Sequence, residues 1–169
     1  MINNQSIKQR LLPRFRIIII IVGMMVVTAI TVAAAIFLIP FSEEFANSET
    51  YQYISFMRLP VLLMVESVIA LFLVACILSI PLLISIYQGR PFSLTSVRIL
   101  RVMKICFFLM ILPLIALVIY TENHVTGSIT NLYCVLGMGI AFVIANIFGL
   151  FATLIERASE FEQEINLTI

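Results

Sequence analysis

Four long apolar runs alternate with short polar segments along the chain, and this alternation predicts the fold. The runs cover about residues 17–39, 59–87, 102–120 and 132–155. Each is long enough to cross the roughly 30 Å hydrocarbon core of a bilayer, because a helix rises about 1.5 Å per residue. We therefore predict an all-α polytopic membrane protein in which four transmembrane helices form one bundle, a single membrane domain over residues 1–169.

Prolines near or inside these runs predict where the helices end or bend. Pro40 follows the first run, and we expect it to end that helix, with Ser42 as the N-cap of a short helix at the membrane surface. Pro81 lies inside the second run, where it leaves the carbonyl four residues earlier without its usual donor and favours a kink. The hydroxyl of Ser79 or Ser85, or a neighbouring helix, could satisfy that carbonyl.

The segment before the third run has a helical pattern with two faces. Ser93 suits an N-cap. Apolar residues then recur three apart, and cations recur three apart on a neighbouring face: Leu94, Val97 and Leu100, with Arg98, Arg101 and Lys104. This spacing predicts an amphipathic helix over residues 93–104 that leads into the third span.

Small residues recur every four positions along the fourth run: Gly137, Ala141, Ala145 and Gly149. Such a ridge lets two membrane helices approach closely, so it predicts a helix-packing surface. The partner helix could belong to the same chain or to a second copy, which makes a homodimer possible. Asn146 lies beside the ridge and could hydrogen-bond across that contact.

The helical pattern continues beyond the fourth run. Three acids recur at intervals of four and form a stripe on one helix face: Glu156, Glu160 and Glu164. We predict that the last helix projects about two turns into water as an acidic tail over residues 156–169.

Charge distribution predicts the orientation of the chain. Most of its ten Lys and Arg residues lie in two short segments, 8–16 and 90–104. Cytoplasmic segments of membrane proteins are enriched in these residues. We therefore predict a cytoplasmic N-terminus, a cytoplasmic loop at 87–104 and a cytoplasmic C-terminus.

The basic loop and the acidic tail would then share one side of the membrane. We take their charged residues as candidate partner-docking residues: Arg90, Arg98, Arg101, Lys104, Glu156, Glu160 and Glu164. The cations could bind anionic lipid headgroups, an acidic partner or the chain's own tail, or serve only to orient the protein.

Composition narrows the candidate chemistry. With 62% hydrophobic and 11% charged residues, the chain of 169 residues lies outside the soluble range. It has no Asp, one His in a loop, and three cysteines inside the apolar runs: Cys76, Cys106 and Cys134. Because these residues lack metal-ligand spacing and a paired base, we expect no enzyme activity, no metal and no cofactor. Direct nucleic-acid binding is not expected, because the chain has no soluble domain to present a groove reader.

Glu66 is the one carboxyl inside an apolar run. An ionisable residue within a span is a candidate functional residue, since burying it is costly. It could act as a protonatable group in transport or hold a cation. Alternatively, it could be a structural carboxyl that is protonated, bonded to a neighbouring helix or reached by water.

Two short motifs support a family resemblance. The letters GRPFS stand at residues 89–93, after the second run, and LTI ends the chain at 167–169. With the four spans, these motifs resemble the DUF2975 family of small bacterial four-span membrane proteins, which typically show G-[KR]-P-F-[ST] and a terminal E-[NQ]-D-L-T-[IV]. Asn166 stands where the family pattern has Asp.

The resemblance implies a multi-pass protein of the bacterial cytoplasmic (inner) membrane and no established activity. It also implies a possible partner, a small Xre-type helix-turn-helix regulator of the kind that family members often neighbour. Our first hypothesis is a non-enzymatic regulatory or accessory protein whose basic loop and acidic tail dock a soluble partner. The alternative is a small dimeric transporter or immunity-type exporter that uses Glu66.

Overall fold

The computed structural model describes residues 4–47, 52–88, 94–125 and 127–167, and among them the side chains of 18–47, 55–88, 94–125 and 127–159. Over these residues the chain forms four α-helices and one short 3-10 helix, with no strand. The α-helices are α1 (Asn4–Asn47), α2 (Arg58–Tyr87), α3 (Leu94–His124) and α4 (Ile129–Leu167), and the 3-10 helix is Gln52–Met57.

All four α-helices are long and apolar enough to cross a membrane. Their apolar windows have mean hydropathies between 2.3 and 2.9. The predicted all-α fold with four membrane-spanning helices is therefore confirmed. The predicted amphipathic start of the third span is also present, because α3 begins at Leu94 and runs without a break into the apolar region.

The first helix is longer than predicted, because Pro40 does not end it. α1 continues to Asn47, and the hydroxyl of Ser42 donates to the carbonyl of Ile39 at 2.7 Å instead of capping a new helix. A helix that continues past proline loses one backbone hydrogen bond, whereas a helix that stops leaves several backbone groups unpaired. In an apolar environment the continuous helix therefore has the lower free energy.

The second helix likewise runs through Pro81 to Tyr87. The hydroxyl of Ser79 donates to the carbonyl of Cys76 at 2.6 Å. Pro81 leaves the carbonyl of Ile77 without its backbone donor, and Ser79 was one of the predicted replacements. That prediction is wrong, because Ser79 bonds to the carbonyl of Cys76, the residue before Ile77.

Consecutive helices pack against each other in chain order. α1 packs on α2, α2 on α3 and α3 on α4, with the α3–α4 interface the most extensive. The central cluster of buried side chains comes from these last three helices: Ala75, Cys106, Phe107, Met110, Ala141 and Ala145. No described residue in the apolar window of α1 is buried. The core therefore lies among α2, α3 and α4, and α1 is peripheral.

The small-residue ridge of α4 lies against α3 of the same chain. Ala145 is fully buried in the central cluster. A Cβ atom added to Gly137 would lie 3.7 Å from Leu114, and one added to Gly149 would lie 3.1 Å from the Cδ atom of Lys104. Of the two predicted partners for the ridge, the structure shows a helix of the same chain.

Polar side chains in the membrane-spanning regions bond mainly along their own helix. Asn146 donates to the carbonyl of Phe142 at 2.8 Å, so the predicted hydrogen bond across the ridge is absent among the described contacts. Hydroxyls make the same bond to the carbonyl four residues earlier at Thr28, Thr31, Ser67 and Thr153.

We predict that Ala145→Leu destabilises the α3–α4 interface. The site has no space for the larger side chain, and overpacking a filled core costs about 1–3 kcal/mol. Thermal or denaturant unfolding of the purified protein in detergent would measure this loss. Gly139→Leu is the control, because a side chain at Gly139 meets nothing within 4 Å. Equal unfolding midpoints for the two variants would contradict the assigned interface.

Candidate functional site at the basic end

We call the end of the bundle formed by the first turns of α3 and by α4 around Glu156 the basic end. Arg101 lies one turn before the charge-free stretch of α3, which begins after Lys104, and Glu156 directly follows the charge-free stretch of α4. Charged side chains are strongly disfavoured within hydrocarbon. Both residues therefore mark the level at which the two helices leave the apolar region.

Arg101 and Glu156 form an ion pair between α3 and α4. The Nη2 atom of Arg101 donates to both carboxylate oxygens of Glu156, at 2.7 Å each. The arginine side chain is 57% exposed and the glutamate side chain 37%. Because exposed pairs typically contribute about 0.2–1 kcal/mol, this contact adds little stability and instead joins the two helix ends.

Lys104 lies in the groove between α3 and α4. Its aliphatic stem crosses Gly149, the last member of the small-residue ridge, where any side chain would crowd it. Its Nζ atom lies 5.9 Å from the centroid of the Phe108 ring. Glycine at this position therefore leaves room for the whole lysine side chain, and the ammonium group lies in the groove beside Gly149 and the Phe108 ring instead of at the basic end.

Arg98 is exposed, and no described residue pairs with it. On the opposite face of the same turn, Val97 and Leu100 are buried against Ala152 of α4. Leu94, which shares their spacing, is exposed. The amphipathic pattern therefore places Arg98 away from the α3–α4 contact.

Several predicted docking residues cannot be placed in this site. Arg90 and the rest of the 89–93 motif lie outside the described residues, as do the side chains of Glu160 and Glu164 and residues 168–169. The backbone of α4 is helical through to Leu167. The predicted continuation of the last helix is confirmed for the backbone, and at about 18 Å beyond residue 155 it is longer than the two turns expected.

Glu66 lies on α2 in an apolar setting. Its side chain is half-buried, and its Oε1 atom is buried without a hydrogen-bond partner among the described residues. Between Thr28 and Ser42, α1 offers no polar side chain except Thr31. α3 also packs on α2, and neither residues 18–42 of α1 nor residues 105–120 of α3 include a charged side chain that could pair with the carboxyl.

The opposite end of the bundle holds a second ion pair, which sequence reasoning missed. Arg58 at the start of α2 pairs with Glu43 of α1 at 2.7 Å, and its Nε atom donates to the hydroxyl of Ser42 at 3.1 Å. Beside it is a largely apolar cavity of about 400 Å³. No motif indicates this contact, because it depends on α1 continuing past Pro40.

The single histidine contacts its own helix and the 3-10 helix that precedes α2. The Nδ1 atom of His124 lies 2.8 Å from the carbonyl oxygen of Tyr120, and its ring contacts Tyr120 and Phe56. Within the described part of the chain, no three His, Cys, Asp or Glu side chains come close enough to hold a metal ion.

These features define a multi-pass membrane protein with four apolar helices and a charged contact between two of them at one end. A family model described as "Protein of unknown function (DUF2975)" matches residues 44–169, so the chain belongs to this family. The match includes α2, α3 and α4 and leaves nearly all of α1 outside. No curated protein and no solved structure matches the chain.

We predict that charge reversal at the α3–α4 ion pair is rescued by its complement. Arg101→Glu places two carboxylates opposite each other, and adding Glu156→Arg restores attraction. A double-mutant cycle on the free energy of unfolding in neutral detergent should give a coupling of up to about 1 kcal/mol. Arg98→Glu paired with Glu156→Arg is the control and should show no coupling. Additive effects at Arg101 and Glu156 would contradict the contact.

Proposed function

We propose that this protein is a non-enzymatic regulatory or accessory membrane protein whose basic end docks a soluble partner. The observation that supports this proposal is the Arg101–Glu156 contact. It joins α3 to α4 at the level where α4 leaves the apolar region, so Arg101 and the helical projection beyond Glu156 lie at the same end of the bundle.

The charged residues at the surface of the basic end could exchange their present contacts for contacts with a partner. Arg98 has no described partner, and the Arg101–Glu156 pair is exposed, so an incoming charged surface can replace its members at small cost. The projection adds Glu160 and Glu164 to the sequence of the same helix. Docking through complementary charges mainly provides partner selection and fast association.

The predicted orientation places this surface in the cytoplasm of a bacterial cell, at the cytoplasmic membrane. The partner that we propose is a small Xre-type helix-turn-helix regulator, following the family resemblance. The membrane protein would hold the regulator and would not itself contact DNA.

We predict that truncation after Arg157 abolishes capture of the soluble partner and leaves membrane insertion intact. The projection is removed while all four apolar windows remain nearly complete. Quantitative affinity purification from detergent-solubilised membranes of the native host would compare the truncated and full chains. Arg58→Gln, at the opposite end, is the control and should retain capture. Undiminished capture by the truncated chain would contradict docking at the basic end.

A second candidate function is supported by Glu66. Its buried, unpartnered oxygen is the kind of group that binds a proton or cation within a membrane. A small dimeric transporter or immunity-type exporter could use it as the ionisable group. Because α3 occupies the small-residue ridge, a second copy would have to contact another face, such as the exposed sides of α1 or α4.

For this second candidate, we predict that Glu66→Gln abolishes proton flux through proteoliposomes carrying the purified protein. The amide retains the shape of the side chain but cannot bind and release a proton. A trapped pH-sensitive dye would report the flux, and Glu44→Gln, an exposed acid near the end of α1, is the control. A fully active Glu66→Gln protein, or the absence of flux in the unaltered protein, would reject the transporter.

A further inference from the structure

An exposed apolar stripe on α3 ends at Arg98. Its members recur at intervals of three and four residues, and their exposed fractions lie between 43% and 61%: Val102, Ile105, Leu109 and Leu112. Arg98 precedes Val102 by four residues, so it lies on the same helix face. A cation therefore lies at the end of a surface that faces away from the α3–α4 contact.

Arg98 lies at the depth in the membrane where lipid headgroups lie. It lies about 6 Å along the helix axis before Val102, the first residue of the stripe. From Val102 to Leu112 the stripe extends about 15 Å, which is half of a 30 Å hydrocarbon core. The stripe thus has the length of one acyl chain in one leaflet.

A second arginine lies on the next turn. Arg101 uses only its Nη2 atom to bind Glu156, so the Nη1 and Nε donors have no acceptor among the described residues. From Leu94 to Thr121, α3 contains no acidic residue. Arginine is well suited to phosphate, because its planar group donates two parallel hydrogen bonds to two oxygens.

We propose that Arg98 and Arg101 bind the phosphate of an anionic membrane phospholipid whose acyl chain lies along the stripe from Val102 to Leu112. A free phosphate ion shares the headgroup chemistry but makes no use of the stripe. A zwitterionic choline lipid is disfavoured, because its choline cation would lie close to two positively charged arginines. The proposal does not depend on the docking of a soluble partner.

Glu156 competes with this lipid for Arg101. The carboxylate and the phosphate are both anions and draw on the same guanidinium group. Removal of the carboxylate charge therefore strengthens lipid binding, whereas removal of Arg98 weakens it. Net charge alone would produce the same two responses, so a variant that removes an equal charge elsewhere is needed to distinguish a built site from a general attraction to charge.

Native mass spectrometry of the full chain, purified in neutral detergent with added lipid, tests the proposal. The probes are phosphatidylglycerol and phosphatidylcholine with identical acyl chains. We expect several-fold preferential retention of phosphatidylglycerol. Arg98→Gln should reduce that retention about fivefold, the equivalent of about 1 kcal/mol for one cation near anionic lipid. Glu156→Gln should increase it.

Arg157→Gln is the matched control. Arg157 is also exposed, carries the same charge and lies at the same boundary on α4, but it follows Glu156 directly and has no second cation on its own helix. Its replacement should leave retention of phosphatidylglycerol within twofold of the unaltered chain. Circular dichroism of each variant would show that the helices are intact, and Arg98→Lys, which keeps the charge, should lose less lipid than Arg98→Gln.

Three results would overturn the proposal. Equal loss of phosphatidylglycerol in Arg98→Gln and Arg157→Gln would indicate attraction to net charge alone. Full displacement of the lipid by millimolar inorganic phosphate would indicate a site for a free anion. Unchanged lipid retention in Arg98→Gln, combined with lost capture of a soluble protein, would assign Arg98 to partner docking.

Discussion

The requirement that every backbone polar group be bonded within hydrocarbon governs this structure. It explains why α1 and α2 continue through Pro40 and Pro81, since a helix break would leave several N–H and C=O groups without partners. It also explains why Asn146 and the span hydroxyls bond to carbonyls of their own helices. Contacts between helices therefore depend mainly on the fit of their side chains, and the two described ion pairs lie at the ends of the bundle.

The four helices are held to different degrees. α3 and α4 meet through the small-residue ridge, with Ala145 fully buried, and the Arg101–Glu156 pair joins them at one end. α1 contributes no buried side chain among its described residues and packs on α2, with the Arg58–Glu43 pair at its far end. The family match begins at residue 44, so the well-packed part of the bundle coincides with the part that family members share. The candidate docking surface belongs to that shared part.

Features that repeat along a single helix could be predicted from the sequence, whereas contacts between particular residues of different helices could not. Hydropathy located four spans, and small-residue spacing located the buried face of α4, because both are properties of one helix. The sequence offered the chain's own tail as one of several partners for the basic loop, and the Arg101–Glu156 contact matches that alternative, but spacing alone could not assign Arg101 to a residue 55 positions away. The contact of Arg58 with Ser42 was missed because we expected Pro40 to end α1, as proline often ends helices in soluble proteins. Whether the charged residues of the basic end dock a partner stays a prediction.

The close packing of the small-residue ridge on α3 also limits how the bundle can respond to bilayer thickness. A helix pair that is longer than the hydrocarbon core relieves the mismatch by tilting or by sliding one helix past the other. Sliding α4 against α3 would separate Arg101 from Glu156 and press a ridge residue, Gly149, past the stem of Lys104. Tilting moves both helices together and preserves these contacts. A change in membrane thickness would therefore rotate the α3–α4 pair as a rigid lever and swing the projection beyond Glu156 relative to the membrane plane.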